Sequence, residues 1–282
     1  MKTVLIFTAC LLATININAQ SFEWVNGMGS NSDDEGLSIA VDDQGNVVTI
    51  GTFRGTVDFD PGMGTSNQIS NGQRDIFIQK LDANGNLLWV KTFGGTNEDI
   101  GRSIALDSQG NIYSTGSFFG TVDFDPGAGT STLTSVGIDI FVQKLDSNGN
   151  FIWVRQLGGS SNDVGFDITI DASGDLYTIG IFSASADFDP GVGISTLTSA
   201  GSDDIFIQKM DTLGNFIWAR RMGGTNSDFG YSVDTDSMGN IYATGRFSGT
   251  ADFDPGPGTS DLISQGGDDI FVQKLDASGN FI

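Results

Sequence analysis

The sequence contains no histidine and only one cysteine, Cys10, which lies in an apolar stretch near the start. These absences exclude disulfide frameworks, thiolate zinc sites, cysteine nucleophiles and histidine-based catalytic triads from the rest of the chain. Positive charge is also scarce. The chain has 13 lysines and arginines against 35 aspartates and glutamates, a formal net charge of −22. Such a charge repels phosphate backbones, so we expect no nucleic-acid partner.

Long hydrophobic runs are missing except for one at the start. Lys2 precedes an apolar run over residues 4–13, and small and polar residues follow at 18–21. This layout is typical of a secretory signal peptide, and the run is too short to cross a bilayer. We predict a signal peptide over residues 1–20, a mature chain without an integral membrane segment, and a secreted or cell-surface location.

Glycine and phenylalanine are abundant, with 40 and 21 residues, whereas there are only five prolines. This composition favours a folded β protein with many tight turns. The four tryptophans, Trp24, Trp89, Trp153 and Trp218, are separated by 65, 64 and 65 residues. A fixed period of this length indicates tandem repeats. Residues 21–282 are therefore predicted to hold four units, at approximately 21–85, 86–149, 150–214 and 215–282.

Each unit contains two turn signals of the form Asp-x-x-Gly, such as those that begin at Asp107 and Asp146. Each turn joins two β-rich runs, so a unit has two hairpins and four strands, A to D. The strands carry apolar residues on both faces, as in the run at 76–78. Such sheets need a neighbour on either side, and stacking them around an axis provides one. We predict an all-β fold: a β-propeller of four-stranded antiparallel blades of about 65 residues each. A β-helix is the structural alternative.

Two motifs of the repeat resemble those of the secreted bacterial β-propeller repeat proteins, known as SBBP repeat proteins. The first, Asp-x-x-Gly-Asn-x-Tyr-x-Thr-Gly, spans 107–116 and 236–245. The second, Asp-Ile-Phe-x-Gln-Lys-Leu/Met-Asp, spans 139–146 and 204–211. The resemblance covers residues 21–282 and implies a propeller fold, but it implies no defined activity.

The last residues, Phe281 and Ile282, align with Phe22 and Glu23 at the start of a predicted strand D. Two interpretations follow. The strand around residues 22–25 would supply the missing fourth strand of the last unit and close a four-bladed ring, or the sequence would be a fragment of a longer protein. The second is favoured, because the sequence stops when its last strand has barely begun.

An Asp-Phe-Asp-Pro segment recurs once in every unit. Its alternating carboxylates lie beside glycines that let backbone carbonyls approach an ion, and hard oxygen ligands suit calcium. Calcium is thus the candidate cofactor, although the same aspartates would also cap a Pro-Gly turn while the phenylalanine plugs the space between blades. Asp34, Asp99, Asp163 and Asp228 would either extend such a site or cap turns themselves. The predicted metal ligands are Asp58, Asp60, Asp123, Asp125, Asp187, Asp189, Asp252 and Asp254.

The topology predicts a plain end of the propeller, formed by the Asp-x-x-Gly turns, and an acidic end with long loops. One of these loops is a B–C connection of about 20 residues that holds the Asp-Phe-Asp-Pro segment. Because binding often lies in loops on a rigid scaffold, we predict a binding or structural module that contacts protein or glycan, and no enzyme. The alternative is a carboxylate-based polysaccharide-degrading enzyme, a glycoside hydrolase or lyase, since that chemistry needs only two placed acids.

Overall fold

The computed structural model describes residues 23–282, so the predicted signal peptide lies outside the described residues. The described part is built from strands, and none of it forms a helix long and apolar enough to span a membrane. The strands are β1 (Glu35–Val41), β2 (Val47–Phe53), β3 (Thr56–Asp58), β4 (Asn67–Ile69), β5 (Asp75–Leu81), β6 (Leu87–Phe93), β7 (Ile100–Leu106), β8 (Ile112–Asp123), β9 (Thr132–Leu145), β10 (Phe151–Gly159), β11 (Val164–Ile170), β12 (Leu176–Asp187), β13 (Thr196–Met210), β14 (Phe216–Gly224), β15 (Phe229–Thr235), β16 (Ile241–Asp252) and β17 (Asp261–Leu275).

Antiparallel pairing follows the chain and repeats with the sequence period. Strands β1, β2, β5 and β6 form a four-stranded sheet, with β3 and β4 paired beside it. The same A-B-C-D order holds in β7 to β10 and in β11 to β14, while β15 to β17 supply strands A, B and C. We call these groups units 1 to 4; they cover residues 35–93, 100–159, 164–224 and 229–275.

The prediction of an all-β protein with antiparallel propeller-type repeats is confirmed, but four complete four-stranded blades are not. Unit 4 has three strands, and Phe281 adds only an isolated bridge to Leu275. Two-residue pairings, β10 with β12 and β14 with β16, join units 2 to 4 into one sheet of eleven strands. Within residues 23–282, no strand pairing links unit 4 to the segment before β1, so the four-bladed ring considered from the sequence does not close.

The B–C connection is shorter than the 20 residues that the sequence suggests. In unit 2, strands β8 and β9 remain paired as far as Asp123 opposite Thr132, which leaves residues 124–131 as the loop. A register shift between Phe119 and Thr121 carries the hairpin past a bulge at Gly120, whose φ is 81°. Serine, threonine and glycine in this stretch look like loop sequence, but they pair across the hairpin as a ladder, with Thr121 opposite Thr134.

The core lies where successive units meet. Ile76 and Ile78 of unit 1 share a buried cluster with Ile104 and Ile112 of unit 2. The phenylalanine of each Asp-Phe-Asp-Pro segment is buried too: Phe124 lies 5.3 Å from Phe118 and 5.1 Å from Phe141 between ring centroids. Face-to-face packing of units therefore buries the apolar residues on both faces of each sheet.

Candidate functional site

The predicted calcium ligands lie in loops whose aspartates already accept hydrogen bonds from the backbone. Asp58 Oδ1 accepts the amides of Asp60 and Ser66 at 3.0 and 2.7 Å, and Asp60 Oδ1 accepts the amide of Gly62 at 2.8 Å. The amide of Ser66 lowers the pKa of Asp58. The same bonds recur at Asp123, Asp125, Asp187, Asp189, Asp252 and Asp254.

These contacts match the turn-capping alternative. In the described part of the chain, no three acidic, histidine or cysteine side chains converge as a metal site would require. Calcium at the Asp-Phe-Asp-Pro loops stays a prediction, and any ion there would need backbone oxygens as ligands in addition to the carboxylates.

At the opposite end of each unit, which we call the turn end, the A–B and C–D turns are closed by aspartate. Asp42 Oδ1 accepts the amides of Gln44 and Asn46, both at 2.9 Å, and its Oδ2 lies 2.9 Å from Lys80 Nζ. Burial alone would raise the pKa of Asp42, but hydrogen bonds from Asn46 and Lys80 lower it to about 2. Asp42 is therefore ionised throughout the physiological range.

Clefts open at the turn end between successive units. The sequence analysis predicted a plain surface at this end, and the clefts are a difference from that prediction. The cleft between units 1 and 2 has a volume of about 750 Å³, and the cleft between units 2 and 3 about 430 Å³. Side chains of the larger cleft are Val41, Asp42, Asp43, Gln44, Asn46, Lys80, Leu88, Trp89, Leu106, Asp107, Ser108, Gln109, Ser147 and Asn148.

One substitution between units distinguishes the two clefts. In unit 2, Tyr113 stands opposite Lys144 in strand C, and its hydroxyl donates to Asp107 at 3.2 Å. In unit 1 the equivalent residue is Val48, opposite Lys80. Tyr113 lines the smaller cleft, whereas no aromatic ring takes that place in unit 1. The larger cleft is the one that lacks this ring.

The missing ring also changes the environment of the tryptophan in the same row. Trp153 is buried against Tyr113, with ring centroids 6.2 Å apart, and Trp218 packs in the same way on Tyr177 at 6.1 Å. Trp89 has no such tyrosine beside it and is only half-buried. Trp153 and Trp218 are therefore packing residues, whereas Trp89 lines a cleft.

At the other end, the loop end, acids of the D–A connections hold adjacent units together. Asp163 follows β10 of unit 2 and is fully buried. Its Oδ2 accepts the amide of Gly159 at 2.8 Å, and its Oδ1 accepts the amide of Ser183 in unit 3 at 3.1 Å. Asp99 and Asp228 make the equivalent bonds. These residues do cap turns, and each cap crosses a junction between units.

Each of these acids has a buried acidic neighbour that the sequence analysis missed. A side-chain carbon at Gly158 would lie 2.6 Å from Asp139 Oδ1 and 2.9 Å from Asp163 Oδ2, so both carboxylates border the same point. Asp139 Oδ1 is buried with no hydrogen-bond partner among the described residues. The corresponding pairs are Asp75 with Asp99 and Asp204 with Asp228.

Burial shifts the titration of these pairs strongly. Desolvation raises the pKa of Asp75, Asp139, Asp99 and Asp163 to about 6, and at Asp99 and Asp163 the neighbouring carboxylate adds to the shift. Hydrogen bonds from backbone amides only partly oppose it. Asp75, Asp139 and Asp204 are each the first residue of an Asp-Ile-Phe motif, so this motif is the sequence pattern that marks them.

Comparison with known proteins agrees with the repeat structure. The SBBP beta-propeller repeat model matches residues 88–117, 152–180 and 217–249, each of which runs from strand D of one unit into strand B of the next. An uncharacterized WD repeat-containing protein of Acanthamoeba polyphaga mimivirus is 25% identical over 138 residues, 44% of this chain and 10% of that protein.

The regulatory protein FlaEY of Caulobacter vibrioides is 23% identical over 198 residues, 70% of this chain and 20% of that protein. The chain thus matches a fifth or less of the length of these curated relatives. The chain thus contains three SBBP beta-propeller repeats within residues 88–249, and they follow its strand order and its 65-residue period.

Proposed function

We propose that the protein is a secreted or cell-surface binding module that takes a glycan chain into the cleft between units 1 and 2. The observation that carries the proposal is the lining of this cleft, where Trp89 lies among the carboxylates and amides of the turns. Sugars combine apolar ring faces with rims of hydroxyl groups. A tryptophan ring packs against the former, and carboxylate and amide groups bond the latter.

Binding without cleavage is the better fit for the acids of this cleft. A glycosidase needs one carboxylic acid with a raised pKa that can protonate the leaving oxygen. In the cleft, Asp42 has a pKa of about 2 and is paired with Lys80, so it is a poor proton donor. Acids with raised pKa values, such as Asp139 and Asp163, are buried at the loop end and are out of reach of a polysaccharide.

The proposed location rests on two supports. Residues 1–20 have the layout of a secretory signal peptide, and the repeat family takes its name from secreted bacterial proteins. An export signal combined with a rigid, cysteine-free scaffold suits a protein that meets glycans outside the cell.

Filling the cleft tests the proposal. Val48→Tyr places a ring where Tyr113 stands in unit 2, so it should weaken oligosaccharide binding at least tenfold while leaving the melting temperature within a few degrees. Titration calorimetry with a panel of neutral oligosaccharides measures the affinity. Tyr242→Val makes the reverse exchange in unit 4, away from this cleft, and should leave the affinity unchanged.

Two results would contradict the proposal. One is that no oligosaccharide of the panel binds at millimolar concentration. The other is that Val48→Tyr binds as well as the unmodified chain. Release of reducing ends from the panel would instead support the alternative, a polysaccharide-degrading enzyme.

A further inference from the structure

Strand C carries a lysine at the same position in every unit, and the pairing of this lysine differs among units 1 to 3. In unit 1, Lys80 Nζ lies 2.9 Å from Asp42 Oδ2. In unit 3, Lys209 Nζ lies 2.9 Å from Asp175 Oδ2. Lys144 of unit 2 forms no ion pair with any residue of the described chain. An unpaired ammonium group is unexpected in a protein with a formal net charge of −22.

The first cause is the tyrosine of strand B. In unit 2 the hydroxyl of Tyr113 donates to Asp107 Oδ2 at 3.2 Å. The equivalent oxygen in unit 1 is bound by Lys80 instead, because Val48 has no hydroxyl. Tyr113 therefore takes the turn carboxylate that would otherwise pair with Lys144.

The second cause is the residue that follows the glycine of the A–B turn. In unit 3, Tyr177 also donates to the turn carboxylate of Asp171, at 3.0 Å. Asp175 then supplies a second carboxylate to Lys209. The equivalent of Asp175 in unit 2 is Asn111, which carries no charge. Unit 2 thus combines the tyrosine of unit 3 with the neutral turn of unit 1.

This unpaired lysine lines the smaller cleft, between units 2 and 3. Lys144 is half-buried, whereas Lys80 and Lys209 are buried. Its ammonium group contacts the carbonyl of Thr212 at 3.4 Å and the face of the Tyr113 ring. Burial lowers its pKa, because these contacts bring no negative charge to offset the lost water. A ligand with an anionic group would supply that charge.

The rest of the smaller cleft suits a sugar ring. Its volume of about 430 Å³ lies within the range of about 300–1,000 Å³ that is usual for ligand pockets. Ser108, Gln109 and Ser173 provide hydroxyl and amide groups, which can bond sugar hydroxyls. Leu106 and Ile170 provide apolar walls for the carbon-bound face of the ring. An acid attached to a sugar ring therefore matches both the lysine and its surroundings.

Two turn carboxylates in the lining, Asp107 and Asp171, limit the charge that the cleft accepts. Asp107 Oδ1 already accepts the amides of Gln109 and Asn111, both at 2.9 Å. A ligand carboxylate in contact with Lys144 is nearer to the ammonium group than to either acid. Since Coulomb energy falls with distance, attraction dominates for a single carboxylate. A chain with a carboxylate on every ring would be repelled by the acids and by the net charge.

We propose that the smaller cleft is a second sugar site, selective for a ring that bears one carboxylate, as a uronic acid does. Lys144 Nζ donates to the carboxylate, and the serine and glutamine side chains of the turns bond the ring hydroxyls. The larger cleft offers no such ammonium group, because Lys80 is paired with Asp42 there. This site does not depend on the neutral glycan site, and each can fail without the other.

Titration calorimetry of the full chain with glucuronate, glucose and acetate tests the proposal. Glucuronate should bind about tenfold more tightly than glucose, because it adds a charge-assisted hydrogen bond. Acetate has the carboxylate without the ring, and should bind at least tenfold more weakly than glucuronate. Glucuronate that binds no more tightly than glucose, or no more tightly than acetate, would overturn the proposal.

Asn111→Asp gives Lys144 the partner that Asp175 gives to Lys209. This variant should bind glucuronate about tenfold more weakly, with an unchanged circular dichroism spectrum. Asn240→Asp makes the same exchange in unit 4, outside the cleft, and should leave the affinity unchanged. Full affinity in Asn111→Asp would contradict the proposal. So would an equal loss in both variants, which would show that net charge governs binding.

Chemical labelling locates the bound acid. N-hydroxysuccinimidyl acetate acetylates lysine amines, and peptide mass spectrometry follows each lysine separately. Saturating glucuronate should slow the acetylation of Lys144 severalfold and leave that of Lys91, outside the cleft, unchanged. No protection of Lys144, or equal protection of both lysines, would refute the assignment of the site.

Discussion

At the turn end of unit 2, Asp146 is partly exposed and accepts the backbone amides of Asn148 and Asn150, whereas at the loop end Asp139 and Asp163 are buried beside each other. Burial raises the pKa of Asp146, but the hydrogen bonds from Asn150 and Asn148 together with the charge of Lys91 outweigh it, and the net shift is downward. Desolvation instead raises the pKa of Asp139 and Asp163 to about 6. The same side chain, repeated around one scaffold, thus stabilises its turn as an anion at one end and resists ionisation at the other.

The largest effect is expected where a loop-end acid holds two units together. Asp163→Ala leaves the amides of Gly159 and Ser183 buried without an acceptor, which should lower the free energy of unfolding by about 2–4 kcal/mol. Asp125→Ala removes a loop-end cap that is partly exposed, and should cost about 1 kcal/mol or less. Urea unfolding of both variants measures the difference. Equal losses of unfolding free energy in the two variants would show that burial at the junction between units does not make a cap more stabilising.

Much of this architecture could be predicted from the sequence, because the period of the tryptophans and the Asp-x-x-Gly turns are local signals. The acid pairs could not, since Asp139 and Asp163 are 24 residues apart and meet only in the folded unit, where the amide of Asp163 donates to the carbonyl of Ile138. The cleft was visible in principle, as Val48 stands where other units have tyrosine. A unit that gains acids is the usual sequence signal of a site, whereas unit 1 differs from the other units by the loss of an aromatic ring.

The second prediction concerns the pH dependence of stability. Between the ordinary pKa of 3.8 and the folded value of about 6, native Asp139 binds more protons than the unfolded chain does. Its contribution to stability therefore falls as pH rises through this window. Turn-end acids such as Asp42 and Asp146, with lowered pKa values, lose their contribution as pH falls below about 4. The melting temperature should be highest near pH 4–5 and lower at pH 7.

Asp139→Asn isolates the contribution of a loop-end acid to the pH dependence of stability. Asparagine is neutral at every pH and still accepts from Gln156, so unfolding free energy at pH 7 should rise by about 1 kcal/mol, while at pH 4 it should change little. Calorimetric scans of both chains from pH 3 to 8 measure this. A variant that is less stable than the unmodified chain at pH 7 would mean that the Asp139 carboxylate is stabilised by something other than its neighbours here.

A small effect is expected at the turn end, and its pH dependence should be opposite in sign to that of Asp139→Asn. Asp146→Ala removes the acceptor for Asn148 and Asn150 but leaves both amides near water, so it should cost about 1 kcal/mol at pH 7. Protonation weakens the same bonds in the unmodified chain, so the cost should shrink below pH 3. At neutral pH, Asp139→Asn should be more stable than the unmodified chain, and Asp146→Ala should be less stable. If both variants followed the same pH trend, net charge would govern stability and the two ends of the unit would not differ as their hydrogen bonds and burial indicate.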